Sequence, residues 1–216
     1  VGQDLRVLIG AAPKTFIASF TAMLTEAGLQ SVGLDLESTA LARALAVPHP
    51  TGTEMIIDLG GNRTTVCVMF HGVIHFSSNL PFCGENLTRT VVDRLHLSFS
   101  EAEKAKHIFG LSSTRGRGRV RAALLPELHA FTEKLREIIV FTQNHFTTLP
   151  PLARISLTGG GALLSGIGDV IGEALGQSVD ELHVSVRDKN NEELPLGLRV
   201  RFSTAIGLAL QESIRQ

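Results

Sequence analysis

The chain has 216 residues, of which 44% are hydrophobic and 19% are charged. This composition is typical of a globular protein and excludes an intrinsically disordered chain. The 20 basic and 21 acidic residues leave a net charge of −1, which excludes binding to nucleic acid through bulk positive charge. Two cysteines cannot build a disulfide framework, and no apolar stretch reaches the roughly 20 residues of a membrane helix.

The first fifty or so residues predict two strand–helix units followed by a break. The expected elements are, in order, a strand at 6–11, a helix that Pro13 opens and Gly28 ends, a strand at 32–36 and a helix at 37–47. Because the chain opens at Val1, close to its first predicted strand, we expect that it lacks an N-terminal part. The prolines at positions 48 and 50, followed by Thr51-Gly52, predict a boundary.

The middle of the chain predicts three antiparallel strands and then helices. The strands are expected at 54–59, 64–70 and 73–78. The following elements are expected to be a helix at 86–97, a second helix that begins at a capping box of Ser100 with Glu103 and ends at Gly110, and a loop at 112–118.

The C-terminal part predicts alternating helices and strands. The expected elements are a long helix from Pro126 to Phe146, a strand at 153–158, a helix at 165–175, a strand at 179–186 and a final helix at 203–214. Helices inserted between groups of strands predict a mixed α/β fold. They disfavour the regular βαβ alternation of a simple dinucleotide-binding domain.

A candidate phosphate site follows the strand at 54–59. This strand delivers Asp58 next to Gly60-Gly61-Asn62, and Thr64 opens the next strand. Glycine lets backbone N–H groups turn toward an anion, and a carboxylate can hold Mg²⁺ through water. An ordinary β-hairpin turn, in which Asp58 accepts hydrogen bonds from turn amides, would need the same residues.

A second candidate is Gly159-Gly160-Gly161-Ala162, between the predicted strand at 153–158 and a helix. A strand, a glycine run and a helix N-terminus together form a site for a phosphate or for the flat face of a nucleoside. The spacing matches neither the dinucleotide fingerprint nor the lysine-containing phosphate loop. A tight strand-to-helix connection is the alternative interpretation.

Glu103 and Lys106 form the third candidate. They lie three residues apart and therefore share a helix face. A carboxylate beside an ammonium group can bind the two hydroxyls of a ribose, whereas the alternative is a surface ion pair that contributes little to stability.

Two further clusters have simple alternatives. His71 and His75 are interpreted as hairpin residues rather than metal ligands. The arginines of the 112–121 stretch, Arg115, Arg117, Arg119 and Arg121, fit either a solvated loop or a contact with anionic lipid headgroups or an acidic partner.

Taken in chain order, these motifs carry a family resemblance. The acidic glycine hairpin, the Glu-x-x-Lys helix and the strand–triple-glycine–helix segment resemble the second half of the actin-like ATPase superfamily, with its actin, Hsp70 and sugar-kinase branches. Thr204–Ala209 is similar to the closing helix of that superfamily, and Glu37–Ala42 is similar to the helix that meets it.

Within this superfamily the chain looks closest to the PilM family of type IV pilus assembly ATPases, which is related to the cell-division protein FtsA. Two stretches indicate this branch, Ala11-Ala12-Pro13-Lys14 and Leu80–Thr88. Further similar stretches lie at 26–29, 35–38, 58–60, 102–106 and 157–162.

The resemblance implies the actin-like ATPase fold, which is of the ribonuclease H type, and a division into lobes. Residues 1–47 would be the end of the first lobe, a remnant of a peptide-binding subdomain with a connecting helix. Residues 48–216 would be the nucleotide-binding second lobe, in which 98–148 is an inserted helical subdomain and 203–216 is the closing helix.

ATP and Mg²⁺ are the cofactors that the resemblance implies. The phosphate-facing residues would be Asp58, Gly60, Gly61, Asn62 and Thr64, with Asp58 holding the metal. Glu103 and Lys106 would face the ribose, and Gly159, Gly160, Gly161 and Ala162 the adenosine. Glu37 would be catalytic, because it would orient the attacking water. Arg63 replaces a small residue of the family pattern, and it could either contact a phosphate or fill the pocket.

The implied function is a cytoplasmic scaffold, peripheral to the inner membrane and without a transmembrane segment of its own. It would bind the N-terminal cytoplasmic peptide of a PilN-like protein and other pilus machinery, and it would be at most a slow ATPase, inactive as this chain alone. One alternative is an FtsA-like division scaffold, which is disfavoured because no amphipathic helix follows Ser203–Ile214. Another is a small-molecule kinase of the sugar-kinase branch, for which no positioned base is visible.

Overall fold

The computed structural model of the protein describes residues 7, 9–44, 52–181, 184, 186–187 and 189–211. Its helices are α1 (Lys14–Glu26), α2 (Glu37–Ala44), α3 (Gly84–Leu95), α4 (Phe99–Phe109), α5 (Arg119–His145), α6 (Ile167–Leu175), α7 (Leu196–Arg201) and α8 (Ser203–Ala209). Its strands are β1 (Thr53–Leu59), β2 (Thr64–Phe70), β3 (Val73–Leu80), β4 (Leu152–Thr158) and β5 (Val179–Glu181). Two 3₁₀ turns lie at Arg115–Gly118 and Gly160–Leu163.

The five strands form one sheet in the order β3-β2-β1-β4-β5. Strands β1 to β3 make the predicted antiparallel meander, whereas β4 runs parallel to both β1 and β5. Asp58 of β1 lies beside Thr158 of β4 in the register. Because parallel strands end at the same edge of a sheet, the segments after β1 and β4 emerge side by side.

Strand β1 is buried along its whole length, since both faces of the sheet are covered. On one face Met55 and Ile57 join the main hydrophobic cluster, which includes residues of α3, α4, α5 and α6. On the other face Ile56 packs with Cys67 and with Ala42 of α2. Burial on both faces explains why β1 reads as a continuous apolar run rather than an alternating strand.

The two strands predicted near the N-terminus are wrong where the structure describes them. Residues 7, 9–11 and 32–36 have no strand conformation, and residues 6 and 8 lie outside the described part. Ile9 and Val32 are 85% and 78% exposed, so these two side chains are not buried in a core. Apolar, β-branched residues favour a strand, but a strand forms only where another strand pairs with it.

Three helix starts differ from those predicted. The capping box is Ser98 with Glu101, whose backbone and side chain exchange hydrogen bonds, and not Ser100 with Glu103. Helix α3 begins at Gly84 rather than at residue 86. Helix α5 begins at Arg119 and continues through Pro126, which therefore does not start it.

The continuity of α5 has a packing reason. Val120 and Leu124, both before the proline, are buried in the main cluster with Leu128, which follows it, and Ala123 is buried as well. A proline inside a helix costs about 3 kcal/mol, and burial of each of these apolar side chains contributes about 1–3 kcal/mol in return. Packing on both sides of Pro126 therefore keeps the helix continuous.

Several C-terminal elements are shorter than expected or were missed. Strand β5 ends at Glu181; of the rest of the predicted strand, 184 and 186 are not in strand conformation and 182, 183 and 185 lie outside the described residues. Helix α6 starts at Ile167 rather than at residue 165. Helix α7 was not predicted, because its six residues are too few to show a helical period. Helix α8 ends at Ala209, so residues 210 and 211 are not helical as predicted. Residues 45–47 and 212–214, predicted as helix ends, lie outside the described part.

The proposed division of the chain into lobes stays a prediction. Helices α4 and α5, which occupy most of 98–148, pack into the same hydrophobic cluster as β1 and α6.

Among the described residues, no helix has both the length and the apolar content that crossing a membrane requires.

Candidate functional site

A cavity of about 460 Å³ opens at the sheet edge where β1 and β4 end. This volume falls in the range of small-molecule sites. Its lining residues are Gly60, Gly61, Asn62, Gly84, Glu85, Leu87, Phe99, Glu103, Lys106, His107, Gly160, Gly161, Leu164 and Arg201. Both glycine segments therefore reach one cavity, although about a hundred residues separate them in the sequence.

The first wall of the cavity is the turn between β1 and β2. Gly60 donates its N–H to the Arg63 carbonyl oxygen at 3.1 Å, and a Cβ at position 60 would lie 2.6 Å from that oxygen. The turn is tied to the start of α3, since the N–H groups of Gly84 and Glu85 donate to the carbonyl oxygens of Gly60 and Gly61, both at 3.0 Å. Glycine at position 60 is thus required by this close backbone approach.

The second wall is the glycine run after β4, in which each glycine has a different environment. Gly159 has a φ of +80°, and a Cβ there would lie 2.2 Å from Asp58 Oδ1. A Cβ at Gly161 would lie 2.8 Å from the Cβ of Leu59, whereas a Cβ at Gly160 would meet no atom within 4 Å. Gly160 therefore faces open space in the cavity, and its two neighbours are needed for the fold.

Asp58 lies at the end of β1 behind these turns and is only 8% exposed. Burial, together with the negative charge of Glu37, raises the pKa of this carboxyl to about 6. The Thr204 hydroxyl of α8 donates to Asp58 Oδ2 at 3.4 Å, and with the positive charge of Arg63 it partly opposes that shift. Asp58 is thus a carboxyl group that changes charge near neutral pH.

Glu37 is the first residue of α2, and its side chain contacts the β1–β2 hairpin. Its Oε2 accepts hydrogen bonds from Arg63 Nη2 at 3.0 Å and from the Thr65 hydroxyl at 2.8 Å. Arg63 was expected either to contact a phosphate or to fill the pocket. In this structure its guanidinium instead pairs with Glu37.

Lys106 is almost fully buried, and its ammonium group donates three hydrogen bonds. The acceptors are the Gly84 carbonyl oxygen at 2.9 Å, the Thr88 hydroxyl at 2.6 Å and Glu103 Oε2 at 2.8 Å. Since an ammonium group has three donors, all the donors of Lys106 are used, and one of them holds Glu103 in place. Thr88 also donates to Glu103, and hydrogen bonding with Lys106 and Thr88 outweighs burial and lowers the pKa of this carboxyl.

The cavity brings together seven of the twelve residues predicted to form the site. These are Gly60, Gly61, Asn62, Glu103, Lys106, Gly160 and Gly161. The other five are Glu37, Asp58, Thr64, Gly159 and Ala162, which do not line the cavity. Thr64 is fully buried and donates to the Phe82 carbonyl oxygen at 2.6 Å, while Ala162 is buried in the main cluster.

Sequence reasoning missed the cavity residues of α3 and α7, and those of α4 other than Glu103 and Lys106. Phe99 and Arg201 carry no motif, and helix α7 itself was not predicted. Gly84 could have been found, because a glycine directly before a predicted helix permits close backbone contacts. It lies in Leu80–Thr88, one of the two stretches that indicate the PilM family.

Comparison with known proteins identifies the family. The family model described as Type IV pilus assembly protein PilM matches residues 2–213. The chain belongs to the PilM family. The match to nearly the whole chain confirms the resemblance inferred from the motifs.

Solved structures show that this PilM family member has the actin-like ATPase fold. The structure of a PilM–PilN type IV pilus biogenesis complex aligns with a TM-score of 0.71 and 23% identity, over 90% of this chain and 57% of that chain. MreB5 of Spiroplasma citri bound to AMPPNP aligns with a TM-score of 0.69 and 15% identity, over 94% of this chain and 66% of that one.

A curated relative of this PilM family member is Cell division protein FtsA of Neisseria meningitidis serogroup B. It is 26% identical over 96% of this chain and 54% of its own length. The chain thus spans about half the length of that relative.

Proposed function

We propose that this chain is the nucleotide-binding part of an ATP-binding, actin-like scaffold for type IV pilus assembly. The observation that carries the proposal is the convergence of two glycine segments and Glu103 on one cavity. Membership of the PilM family and the AMPPNP bound by a protein of the same fold support it.

The phosphates would lie against the Gly60-Gly61-Asn62 turn, where backbone N–H groups can approach an anion closely. Asp58 would hold Mg²⁺ through water, because Mg²⁺ keeps several waters and takes one or two carboxylates together with substrate phosphates. No group of three His, Cys, Asp or Glu side chains that could hold a metal occurs in the described part of the chain. A single carboxylate next to the phosphate-binding turn fits a metal ion that binds together with the nucleotide.

The ribose and the base would lie on the opposite side of the cavity. Glu103 can accept hydrogen bonds from the ribose hydroxyls while Lys106 fixes its position. The open face of Gly160 gives room for the adenosine, and half-exposed Phe99 offers an apolar ring for it. This arrangement assigns polar groups to the sugar and a side-chain-free backbone to the flat base.

Hydrolysis, where it occurs, would be slow and would use Glu37 to orient the attacking water. The pairing of Glu37 with Arg63 and Thr65 supports slow turnover, because both interactions occupy Oε2, one of the two carboxylate oxygens that could bind that water.

The partner we propose is the N-terminal cytoplasmic peptide of a PilN-like protein, together with other pilus machinery. One solved structure of the same fold is a PilM–PilN type IV pilus biogenesis complex. In this chain α1 has no buried residue, and its Phe16 and Met23 side chains are more than half exposed. Binding a membrane-anchored tail would keep the protein in the cytoplasm, peripheral to the inner membrane.

Gly160→Val tests the nucleotide site. We expect the full-length protein with this change to stay folded, since position 160 faces open space, and to bind ATP at least tenfold more weakly, because the branched side chain occupies the adenosine position. Titration calorimetry with ATP, with and without Mg²⁺, measures the affinity. Gly33→Val is the matched control, because a Cβ at Gly33 also meets no atom within 4 Å and Gly33 does not line the cavity.

The same titration can contradict the proposal in two ways. If Gly160→Val binds ATP like the parent protein while its circular dichroism spectrum is unchanged, the cavity does not hold the adenosine. If the parent protein itself binds no ATP, the glycine segments are only a hairpin turn and a tight connection.

Arg63→Ala tests the role of Glu37. We expect the change to raise the rate of ATP hydrolysis several-fold, because it frees the carboxylate from its pairing with the guanidinium. The double variant Arg63→Ala with Glu37→Gln should lose this gain, and Arg136→Ala, which removes an exposed arginine paired with Glu133, should leave the rate unchanged. A rate that rises equally in the double variant would show that Glu37 does not orient the water.

A further inference from the structure

Four arginines lie close together on the turn that joins α4 to α5. Arg115, Arg117, Arg119 and Arg121 alternate with small or apolar residues, and the first three are exposed. Residues 113–117 are five consecutive exposed residues, so the turn is accessible to a ligand. The nucleotide site does not use these arginines.

No acidic side chain compensates these charges. None of the four guanidinium groups forms an ion pair or a hydrogen bond with any residue that the structure describes. The sequence contains no Asp or Glu between Glu103 and Glu127. In a chain whose net charge is −1, this turn is therefore a local concentration of positive charge.

The placement of these arginines costs stability. Arg117 has a φ of 55°, the left-handed region that a side chain disfavours, between Gly116 and Gly118. Arg119 and Arg121 lie in the first turn of α5, where the helix dipole favours acids and disfavours cations, and no side chain caps this end. Since glycine or an acid would be more stable at these positions, an external ligand explains the arginines better than the fold does.

An apolar side chain accompanies the charges. Ile108, in the last turn of α4, is 61% exposed. The turn packs onto the neighbouring residue, since a Cβ at Gly116 would lie 3.2 Å from the Phe109 ring. Cationic groups beside an exposed apolar residue are typical of surfaces that contact the headgroup layer of a membrane.

We propose that this arginine turn binds the headgroups of anionic lipids at a bilayer surface. A run of exposed residues outside the cavity fits a flat, extended anionic surface, whereas an acidic peptide would be held better in a groove. Guanidinium groups bind phosphate oxygens in a bidentate geometry, and each basic residue close to an anionic bilayer contributes about a fivefold gain in affinity. None of the four arginines lines the nucleotide cavity.

Vesicle co-sedimentation of the full-length protein tests this proposal. The probes are vesicles of phosphatidylglycerol with phosphatidylethanolamine, and vesicles of phosphatidylcholine alone as the neutral control. We expect binding to the anionic vesicles only, decreasing as NaCl is raised from about 0.05 to about 0.5 M, since salt screens these charges.

Two arginine variants and one matched control make the test specific. Arg115→Gln with Arg117→Gln should weaken binding to anionic vesicles about 30-fold, at about fivefold for each charge. Arg117→Gly alone should weaken it about fivefold while relieving the left-handed backbone, so unfolding cannot explain the loss. Lys134→Gln with Arg136→Gln removes the same net charge from exposed residues that are already ion-paired, and it should leave binding unchanged.

Three results would overturn the proposal. The first is no binding of the parent protein to anionic vesicles at low salt. The second is an equal loss in the arginine variants and in the control variant, which would indicate a general charge effect. The third is binding to polyglutamate peptide but not to vesicles, which would assign the turn to an acidic protein partner.

Discussion

Gly207→Ala should destabilise the protein by about 3 kcal/mol, the upper range for overpacking a closely packed site. Helix α8 crosses α2 at Gly207, and a Cβ there would lie 1.8 Å from the Ala40 carbonyl oxygen and 2.4 Å from its carbonyl carbon. Both atoms belong to the backbone of a buried residue, so no side chain can move aside. The two helices would have to separate. Thermal and denaturant unfolding of the full-length protein measure the loss.

Gly168→Ala is the matched control for this substitution. Gly168 lies in helix α6, and a Cβ there meets Val179 at an ordinary distance of 3.6 Å. Replacing a helical glycine by alanine without a clash should stabilise the protein by about 0.5–1 kcal/mol. Opposite signs for the two variants would confirm the tight crossing, whereas a stabilised Gly207→Ala would show that α2 and α8 lie further apart.

The same crossing positions the proposed catalytic residue. Arg43 of α2 donates to the Gly207 carbonyl oxygen at 2.6 Å, and Glu37 begins the same helix. A shift of α2 would therefore also disturb the contacts of Glu37 with Arg63 and Thr65. The resemblance to the actin-like superfamily implied that these two helices meet.

The sequence predicted best where local chemistry and packing require the same residues. The meander of β1 to β3 was predictable because hairpin glycines separate its apolar strands. The segment at 32–36 has similar composition but no strand conformation, and composition alone cannot distinguish the two cases. The capping box was displaced by two residues because both Ser98-x-x-Glu101 and Ser100-x-x-Glu103 fit the pattern.

In the candidate site, too, local features were predictable from the sequence and long-range contacts were not. Glycine motifs predicted which turns reach the cavity, because a close backbone approach has a clear sequence signature. The pairing of Glu37 with Arg63 and the bonds of Lys106 to Gly84 and Thr88 were not predictable, because they depend on side-chain positions set by distant elements. The sequence therefore indicated where a ligand could bind, and the structure shows which polar groups are free to contact it.

Asp58→Asn should stabilise the nucleotide-free protein above neutral pH. Since burial and Glu37 raise the pKa of Asp58 from 3.8 to about 6, the folded state binds this proton more tightly than the unfolded state. Stability therefore falls as pH rises from about 4 to about 6 and stays lower above that range. Removing the charge should recover about 3 kcal/mol at pH 7.5 and nothing below pH 4. Unfolding followed at both pH values measures the difference.

The same variant should lose the effect of Mg²⁺ on ATP binding. An ionised Asp58 can hold a hydrated Mg²⁺, so in the parent protein binding of ATP with Mg²⁺ should strengthen as pH rises through about 6. Asp58→Asn should bind ATP equally with and without Mg²⁺ at every pH. Asp93→Asn, which changes an exposed carboxyl group on α3, should alter neither stability nor Mg²⁺ dependence. A variant that is more stable and yet indifferent to Mg²⁺ would mean that this buried charge is kept for the metal at a cost in stability. A variant that is less stable at pH 7.5, or that still responds to Mg²⁺, would assign Asp58 to the fold alone.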